Sequence, residues 1–531
     1  MQIRRLRIDD HRCLVDFDIR FSTNEEGGSS TILIGENGTG KSTMIQTVLE
    51  ILTSFDSDAV AKKITYQYEL EYYYKGCIIK IQQSNRHYVI HIDGSVFCRG
   101  TLDTIKRKLE KAEKSIFPER ISYFYSGQNN SPLYSIRRVE SGYNRKCRGL
   151  LATYWNALYL QNRTYTGDFP KEKYNNCTEK LVPIYLLSIM CGQDSYEKRF
   201  LKEQCRFSGI ETVSILLSVD QISQRVQNDI VETGNEGVCD LISFLDDRFT
   251  DLFRTGCLYQ DYDRFIYEIH NISEVDADTV AFFNFFEKLE NLLDAEIEVT
   301  VKVGHSSVAS KHLSEGQRQL IKVLGMLGVC KSEDGLVLMD EPDAHMNPKW
   351  KYDLKSIIDN CLAASEITNI QAIISTHDPL VINGVPKEFI RLFAHNEAVW
   401  QGNGFYITKV IEPTEKTTGM GIDGLLQSQY YGLASTLDIE TQELLEEKRN
   451  LLVKRKRDSL SHDEQLRLRY LSETLENMAF ARNIPTDNYY DDFVAAVHEI
   501  YRDRPIISLS PEQIEERNST LREIAKGLID I

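Results

Sequence analysis

A glycine-rich loop near the beginning of the chain has the spacing needed to hold phosphate groups. It fits the pattern G-x-x-x-x-G-K-[ST] and reads Gly35, Glu36, Asn37, Gly38, Thr39, Gly40, Lys41, Ser42 and Thr43. An apolar run at 31–34 precedes the loop, and a predicted helix from about 41 to 53 follows it. Glycines let backbone amides approach phosphates closely, and the helix N-terminus adds donors. The spacing therefore predicts a nucleotide site in which Lys41 contacts the β- and γ-phosphates and Ser42 binds Mg²⁺.

Two adjacent acids close a second apolar run. Asp340 and Glu341 follow residues 336–339, which read as a buried strand. Strand ends of this kind are common and usually solvated, so the interpretation depends on the phosphate-binding loop upstream. With that loop present, we expect Asp340 to complete the Mg²⁺ shell and Glu341 to polarise the attacking water. The two acids therefore predict hydrolysis of bound ATP.

A third segment, shortly before the two acids, reads Leu-Ser-Glu-Gly-Gln-Arg-Gln. It resembles the Leu-Ser-Gly-Gly-Gln signature of ABC ATPases, with Glu315 in place of the first glycine and Gln317 as the glutamine. The Ser314 hydroxyl, the Gly316 amide and the N-terminus of the next helix can form an anion-binding nest. A plain N-capped helix is the alternative. We expect the nest to contact ATP bound by a second copy of the chain, because it cannot reach phosphate at its own loop.

Three further polar residues resemble parts of ABC ATPase sites. His377 follows the predicted strand 370–374 and resembles the switch histidine that senses the γ-phosphate, although a lone histidine at a strand end is usually structural. Gln128 follows the predicted strand 121–125, where a Q-loop glutamine would bridge metal and water, but a polar turn fits equally well. Arg12 lies on a predicted turn and resembles the arginine that guards the nucleotide in recombination-type ATPases. An exposed surface arginine is the alternative.

The elements around these residues predict an α/β fold, an ABC-type ATPase head with a mixed sheet and an antiparallel β-lobe. We divide the chain into an N-lobe at 1–100 with the phosphate-binding loop and a β-meander, and a mainly helical insertion at 101–296. A C-lobe at 297–411 carries the signature, the two acids and the switch histidine. The region 412–531 is predicted as a helical, partner-docking region.

Composition narrows the class of protein. The chain has 531 residues and a formal net charge of −17, which argues against a surface covered with nucleic-acid contacts. The basic run 454–457 could contact nucleic acid locally, although such a run is more often the solvated face of a helix. We find neither a signal peptide nor an apolar run long enough to cross a membrane, so we expect a cytoplasmic protein without membrane contact.

Taken together, the motifs resemble the AAA_21 or OLD-like branch of ABC ATPases. Asp343, His345 and Pro348, which follow the two acids, belong to that resemblance. OLD-like nucleases carry a Toprim domain after the ATPase, whereas the acids near 487–492 lie in predicted helices here. We therefore expect an ATPase without intrinsic nuclease activity.

The segments 419–426 and 431–433, followed by a helical tail, resemble the PtuA-type ATPases of Septu anti-phage defence systems and their retron-associated relatives. This resemblance implies ATP and Mg²⁺ as cofactors and self-association into a homodimer or a higher homo-oligomer. It also implies control of a separately encoded HNH nuclease, PtuB-like, and leaves open a retron's msDNA and reverse transcriptase as further partners. The alternative function is a DNA-repair or recombination ATPase that binds DNA directly.

The tail is also predicted to dock a partner. Its predicted helices at 441–456 and 463–481 carry more leucines than one helix hairpin is expected to bury against itself. These leucines are Leu444, Leu445, Leu451, Leu452, Leu466, Leu471 and Leu475. A nuclease subunit or a second copy of the chain could cover them.

Overall fold

The structure is a computed structural model. It describes residues 1–24, 27–127, 173–218, 246–261, 264–270, 278–293, 295–331, 335–363, 370–401, 405–433, 435–456 and 460–476, with short stretches within 136–146 and 234–245 and single positions at 272, 478, 516 and 519–521. Two compact units divide the chain, Met1–Glu412 and Pro413–Ile531. Within the described residues, no helix is both long enough and apolar enough to cross a membrane.

The strands are, in chain order, β1 (Gln2–His11), β2 (Leu14–Arg20), β3 (Ser29–Gly35), β4 (Tyr68–Tyr74), β5 (Cys77–Ser84), β6 (His87–Ile92), β7 (Ser95–Gly100), β8 (Ile121–Tyr125), β9 (Tyr174–Asn176), β10 (Phe207–Ser218), β11 (Cys257–Asp261), β12 (Arg264–His270), β13 (Glu296–Val303), β14 (Ser306–Ala309), β15 (Leu336–Asp340), β16 (Gln371–Ser375), β17 (Ile390–Gln401) and β18 (Phe405–Ile411).

The helices are α1 (Lys41–Ser54), α2 (Asp58–Ala61), α3 (Leu102–Lys111), α4 (Val182–Cys191), α5 (Tyr196–Cys205), α6 (Thr250–Arg254), α7 (Thr279–Leu293), α8 (Glu315–Cys330), α9 (Pro348–Ala363), α10 (Pro379–Ile382), α11 (Gly421–Gln427), α12 (Ile439–Lys456) and α13 (His462–Glu476). Short 3₁₀ turns lie at Glu179–Leu181, Asp247–Phe249, Ser310–His312 and Lys387–Phe389.

A seven-stranded sheet in the order β18-β17-β3-β16-β15-β8-β9 forms the centre of the first unit. Neighbouring strands are parallel from β17 to β9, and β18 is antiparallel to β17. The central strands are continuous apolar runs because both faces of the sheet are covered, and every residue of β15 is buried. In register, Asp340 lies beside Ser375, and Ser375 lies beside Leu33. The loops that follow β3, β15 and β16 therefore emerge at one edge.

A six-stranded antiparallel sheet in the order β2-β1-β4-β5-β6-β7 forms the predicted β-lobe. Burial alternates along β4, whose tyrosines at 68, 72 and 74 face the core, as expected for a sheet with one solvated face. Helix α1 shares a hydrophobic core with this sheet and with strands of the larger sheet. The predicted α/β class, with a mixed sheet and an antiparallel β-lobe, is confirmed.

The stretch predicted as a mainly helical insertion differs from that expectation. Its described residues combine helices with strands, and β10, β11 and β12 join β13 and β14 in a five-stranded antiparallel sheet. The buried residues Val213, Ile215 and Leu217 alternate with less buried neighbours along β10, which is the period of a strand. The apolar pattern of neighbouring amphipathic helices such as α7 was extended to the whole stretch, so these strands were missed in the sequence.

The second unit contains a helix hairpin formed by α12 and α13. A capping box begins its second helix, because the Ser461 amide donates to Glu464 Oε2 at 2.9 Å and the Glu464 amide donates to Ser461 Oγ at 3.3 Å. Leu451, Leu452 and Leu471 are buried, so the expectation that the hairpin cannot cover its leucines is wrong for them. The rest of the region predicted as helical, after residue 476, falls outside the described residues, apart from isolated positions.

Candidate nucleotide-binding and catalytic site

The phosphate-binding loop joins β3 to α1, and its glycines meet two different constraints. Gly35 has φ +151°, and a Cβ there would lie 2.1 Å from the carbonyl oxygen of Phe393. Gly40 has φ +96°, and a Cβ there would lie 2.5 Å from Thr408 Oγ1. At both positions the backbone angle favours glycine, and the close neighbours come from β17 and β18 at the end of the first compact unit. Gly38, at φ +82°, has open space around it.

Lys41 is buried at the base of the loop and already has two acceptors. Its Nζ donates to the carbonyl oxygens of Gly35 and Glu36, at 2.7 and 2.9 Å. Burial lowers the pKa of Lys41, and the carboxylates of Glu341 and Asp340 oppose that effect. The lysine is thus held inside the loop, beside the two acids that the sequence predicts at the same site.

The Asp340 carboxylate has one satisfied and one unsatisfied oxygen. Ser42 Oγ donates to Oδ1 at 3.0 Å, and the Ser375 hydroxyl donates to the same oxygen. Oδ2 is buried and has no hydrogen-bond partner among the described residues. Burial raises the pKa of Asp340, and the hydrogen bonds from Ser375 and Ser42 oppose that rise.

This arrangement fits a hard divalent cation. Mg²⁺ prefers carboxylate and hydroxyl oxygens, and a carboxylate oxygen left without a donor is a suitable ligand for it. Ser42 and Asp340, the two described residues predicted to bind the metal, lie within hydrogen-bond distance of each other. The third predicted ligand, Gln128, lies outside the described residues.

Glu341 and His377 lie next to each other at the sheet edge. His377 Nδ1 is 3.3 Å from Glu341 Oε1. Glu341 has φ +55°, an uncommon angle for a residue other than glycine, and its amide donates to the carbonyl oxygen of Ser375 at 3.1 Å. The structure therefore brings the predicted base, the predicted switch histidine and the predicted metal ligands to one edge.

The signature residues form a cap at the beginning of α8. Gln317 N donates to Ser314 Oγ at 3.3 Å, and Ser314 N donates to Gln317 Oε1 at 3.0 Å. A Cβ at Gly316 would lie 3.1 Å from the carbonyl oxygen of His345, so any side chain there would require that backbone to move by a few tenths of an ångström. In the described part of the chain no hydrogen bond joins these residues to the phosphate-binding loop.

Arg12 lies beside the first helix after the loop. It has φ +58°, its Nη1 donates to Gln46 Oε1 at 3.1 Å, and its Nη2 is 3.6 Å from Glu50 Oε1. The preceding His11 packs on Tyr66 with ring centroids 4.1 Å apart. Burial is the main cause that lowers the pKa of His11 to about 4. The predicted nucleotide-guarding arginine is therefore anchored to the helix that begins at Lys41.

Sequence reasoning missed several residues that shape the site. Thr408 Oγ1 donates to the carbonyl oxygen of Thr39 at 2.9 Å, and Thr376 Oγ1 donates to buried Asp343 Oδ2 at 3.0 Å. The role of Ser375 toward Asp340 was missed as well. Each contact joins residues that are distant in the chain, and no local pattern marks them. The polar character of Ser375 within an apolar strand was the one available signal.

Comparisons with known proteins agree with the motif set. Residues 253–383 match a family model described as "AAA domain, putative AbiEii toxin, Type IV TA system". The "Septu protein PtuA" of Bacillus mycoides (strain KBAB4) is 34% identical over 104 residues, which span 20% of this chain and 13% of that relative. The chain is similar to PtuA-type ATPases. The "Retron Vc95 probable ATPase" of Vibrio cholerae serotype O1 biovar El Tor is 22% identical over 431 residues, 76% of this chain and 74% of that relative. The predicted resemblance to PtuA-type ATPases is confirmed.

Two solved structures also resemble the chain weakly. An Smc head bound to the C-winged helix domain of ScpA has a TM-score of 0.34 at 12% identity and covers 78% of this chain and 98% of its own. The recombination mediator protein RecF with ATP has a TM-score of 0.29 at 12% identity and covers 77% of this chain and 97% of its own.

Proposed function

We propose that this chain is an ABC-type ATPase that binds and hydrolyses ATP with Mg²⁺. The observation that carries the proposal is the convergence of Lys41, Ser42, Asp340, Glu341 and His377 at the edge where β3, β15 and β16 end. These residues come from three segments of the chain, and each supplies a group that phosphoryl transfer to water requires. The similarity to an ATPase-named relative and to an AAA domain supports the same activity.

Each residue has a distinct role in this proposal. Lys41, now bonded to loop carbonyls, turns its ammonium to the β- and γ-phosphates. Mg²⁺, held by Ser42 and Asp340, would neutralise negative charge on the phosphates. Glu341 polarises the attacking water, and His377, 3.3 Å from Glu341, senses the γ-phosphate.

The signature completes the site from a second copy. Ser314 is the N-cap of α8, and the N-terminus of this helix, with Ser314 and Gly316, is the second anion-binding element of the proposed site. The resemblance of the segment 313–319 to the ABC signature favours a head-to-head homodimer with two shared sites. In that dimer, ATP is held between the loop of one copy and the signature of the other.

The ATPase would act in an anti-phage defence system by controlling a separately encoded HNH nuclease of the PtuB type. Similarity to a Septu PtuA protein and to a retron ATPase supports this part of the proposal, and a retron's msDNA and reverse transcriptase are the further candidate partners. Nucleic-acid contact by the ATPase itself stays local. We place the protein in the cytoplasm, where phage DNA is accessible.

The test combines the chain with the nuclease encoded beside it. DNA cleavage by the nuclease is measured alone, with the wild-type chain, and with the wild-type chain plus ATP and Mg²⁺. We expect the chain to change the cleavage rate and ATP to change it again. Glu119→Gln, which alters an exposed glutamate on the β-lobe side, serves as the control and should behave as wild type. If the cleavage rate is the same without the chain, with the chain, and with the chain plus ATP and Mg²⁺, the regulatory role is contradicted.

A further inference from the structure

Ser375 is the last residue of β16 and makes contact with both acids of the site. The residue is fully buried. Its hydroxyl donates to Asp340 Oδ1 and accepts a hydrogen bond from the Glu341 amide at 3.2 Å. Its carbonyl oxygen accepts from the same amide at 3.1 Å. One side chain and its own backbone therefore hold the predicted metal ligand and the predicted base.

The Asp340 carboxylate depends on this hydroxyl for its orientation. The terminal torsion of an aspartate is broad, so hydrogen bonds decide how its oxygens point. Both donors to Asp340 bind Oδ1, which leaves Oδ2 buried and available. Ser42, the other donor, is itself assigned to the metal. Ser375, by contrast, donates to Asp340 without a proposed contact to the metal or the nucleotide.

The Glu341 backbone depends on Ser375 as well. A non-glycine residue at φ +55° lies in a sparsely populated region and persists where its surroundings hold it. The two acceptors that Ser375 offers to the Glu341 amide supply such a restraint. Because this angle directs the chain after β15, it also directs the side chain that lies 3.3 Å from His377.

We propose that Ser375 is a positioning residue for the ATPase site, which fixes the Asp340 carboxylate for the metal and the Glu341 backbone for the attacking water. The inference depends on the proposed ATPase function and assigns it a supporting group in the segment of the switch histidine. Groups that orient metal ligands typically change metal affinity by about 10–100-fold when they are removed. Loss of the hydroxyl should therefore weaken Mg²⁺-dependent nucleotide binding while leaving Lys41 in place.

The test separates metal-dependent from metal-independent binding. Fluorescent ATP analogue is titrated into Ser375→Ala, Ser375→Thr and wild type, once in EDTA and once across a Mg²⁺ series. We expect Ser375→Ala to need roughly 10-fold more Mg²⁺ for half-maximal binding, with unchanged affinity in EDTA and a lower kcat. Ser375→Thr keeps the hydroxyl and should recover most of the Mg²⁺ response.

Ser122→Ala is the matched control. Ser122 is a fully buried serine of β8, which lies on the other side of β15 from β16, and its hydroxyl contacts Cys330 Sγ at 3.1 Å instead of the acids. Its Mg²⁺ response should equal that of wild type. If Ser375→Ala does not fold, Ser375→Cys retains the volume with a much weaker donor and should show the same loss.

The outcomes distinguish this inference from the proposed function. A wild-type Mg²⁺ response in folded Ser375→Ala, or an equal loss in Ser122→Ala, overturns the positioning role and leaves the ATPase proposal standing. If the wild-type protein binds no nucleotide, or binds it with an affinity that does not depend on Mg²⁺, the proposed function itself is overturned.

Discussion

Thr408 Oγ1 donates to the carbonyl oxygen of Thr39 at 2.9 Å, although 369 positions separate the two residues. The contact joins β18 to the phosphate-binding loop, and Gly40 packs against the same hydroxyl. The last strand of the ATPase unit thus forms part of the wall of the nucleotide loop. The shape of that loop depends on residues at both ends of the unit.

We predict that Thr408→Val weakens nucleotide binding by roughly 3–10-fold, because a buried carbonyl that loses its donor costs about 1–3 kcal/mol and part of that cost falls on the loop conformation. Calorimetric titration of ATP measures the change. Thr101→Val, at an exposed threonine before α3, is the control. Equal affinities for Thr408→Val and wild type would show that the loop keeps its shape without this contact.

The lysine and the glutamate of the site should have separable effects. We predict that Lys41→Ala loses ATP binding, because Lys41 is the buried cation of the loop. Glu341→Gln should bind ATP normally but hydrolyse it at least about 100-fold more slowly, because it lacks the carboxylate that polarises water. Binding is measured by calorimetry and turnover by phosphate release. Undiminished turnover in Glu341→Gln would remove Glu341 from its proposed role.

The strand, loop and helix around Lys41 could be predicted from sequence because their signals are local. The spacing of glycines, an apolar run and a following helix lie within about twenty residues. Ser375 and Thr408 could not be predicted in this way, since their partners are fixed only when distant strands pair. The five-stranded sheet was missed for a related reason, because strands with a period of two lie between helices whose apolar pattern was extended to the whole stretch.

The shared-site arrangement makes a complementation prediction. Ser314→Arg should bind ATP but fail to hydrolyse it, because the bulky cation blocks the cap that faces the other copy. When Ser314→Arg is mixed with Lys41→Ala, one of the two composite sites in a mixed dimer retains both intact halves. Partial phosphate release should then return. Activity that stays at zero across all mixing ratios, with mixed dimers shown to form, would argue against sharing between copies unless the two sites are strictly coupled.

His11 should make the stability of the ATPase unit fall on acidification. Burial lowers its pKa from the ordinary 6.5 to about 4, so the unfolded chain binds a proton at a higher pH than the folded chain does. The stability contributed by the neutral ring is complete above pH 6.5 and is lost as the pH falls through 4. His11→Phe keeps the packing on Tyr66, and between pH 6.5 and 4 its Tm should fall by a few degrees less than that of the wild type. His270→Phe, at an exposed histidine of β12, should follow the wild-type profile.

The helical tail should contact the nuclease through the side chains that its hairpin leaves exposed. Leu466 and Tyr470, one turn apart on α13, are 52% and 56% exposed, whereas Leu451 and Leu471 are buried in the hairpin. We predict that Leu466→Glu combined with Tyr470→Glu abolishes co-purification with the nuclease and leaves ATP binding unchanged. The hairpin core stays intact because neither residue contributes to it.

Two comparisons decide whether the tail or the ATPase unit carries that contact. Tyr352→Glu changes a tyrosine of α9 that is 53% exposed, and it should leave co-purification at the wild-type yield. Truncation after Glu412, at the boundary between the two compact units, should likewise retain ATP binding and lose the nuclease. Self-association through the same side chains is the competing explanation, and sedimentation of the double variant without nuclease measures it. A truncated chain that still retains the nuclease at full yield would move the docking surface to the ATPase unit.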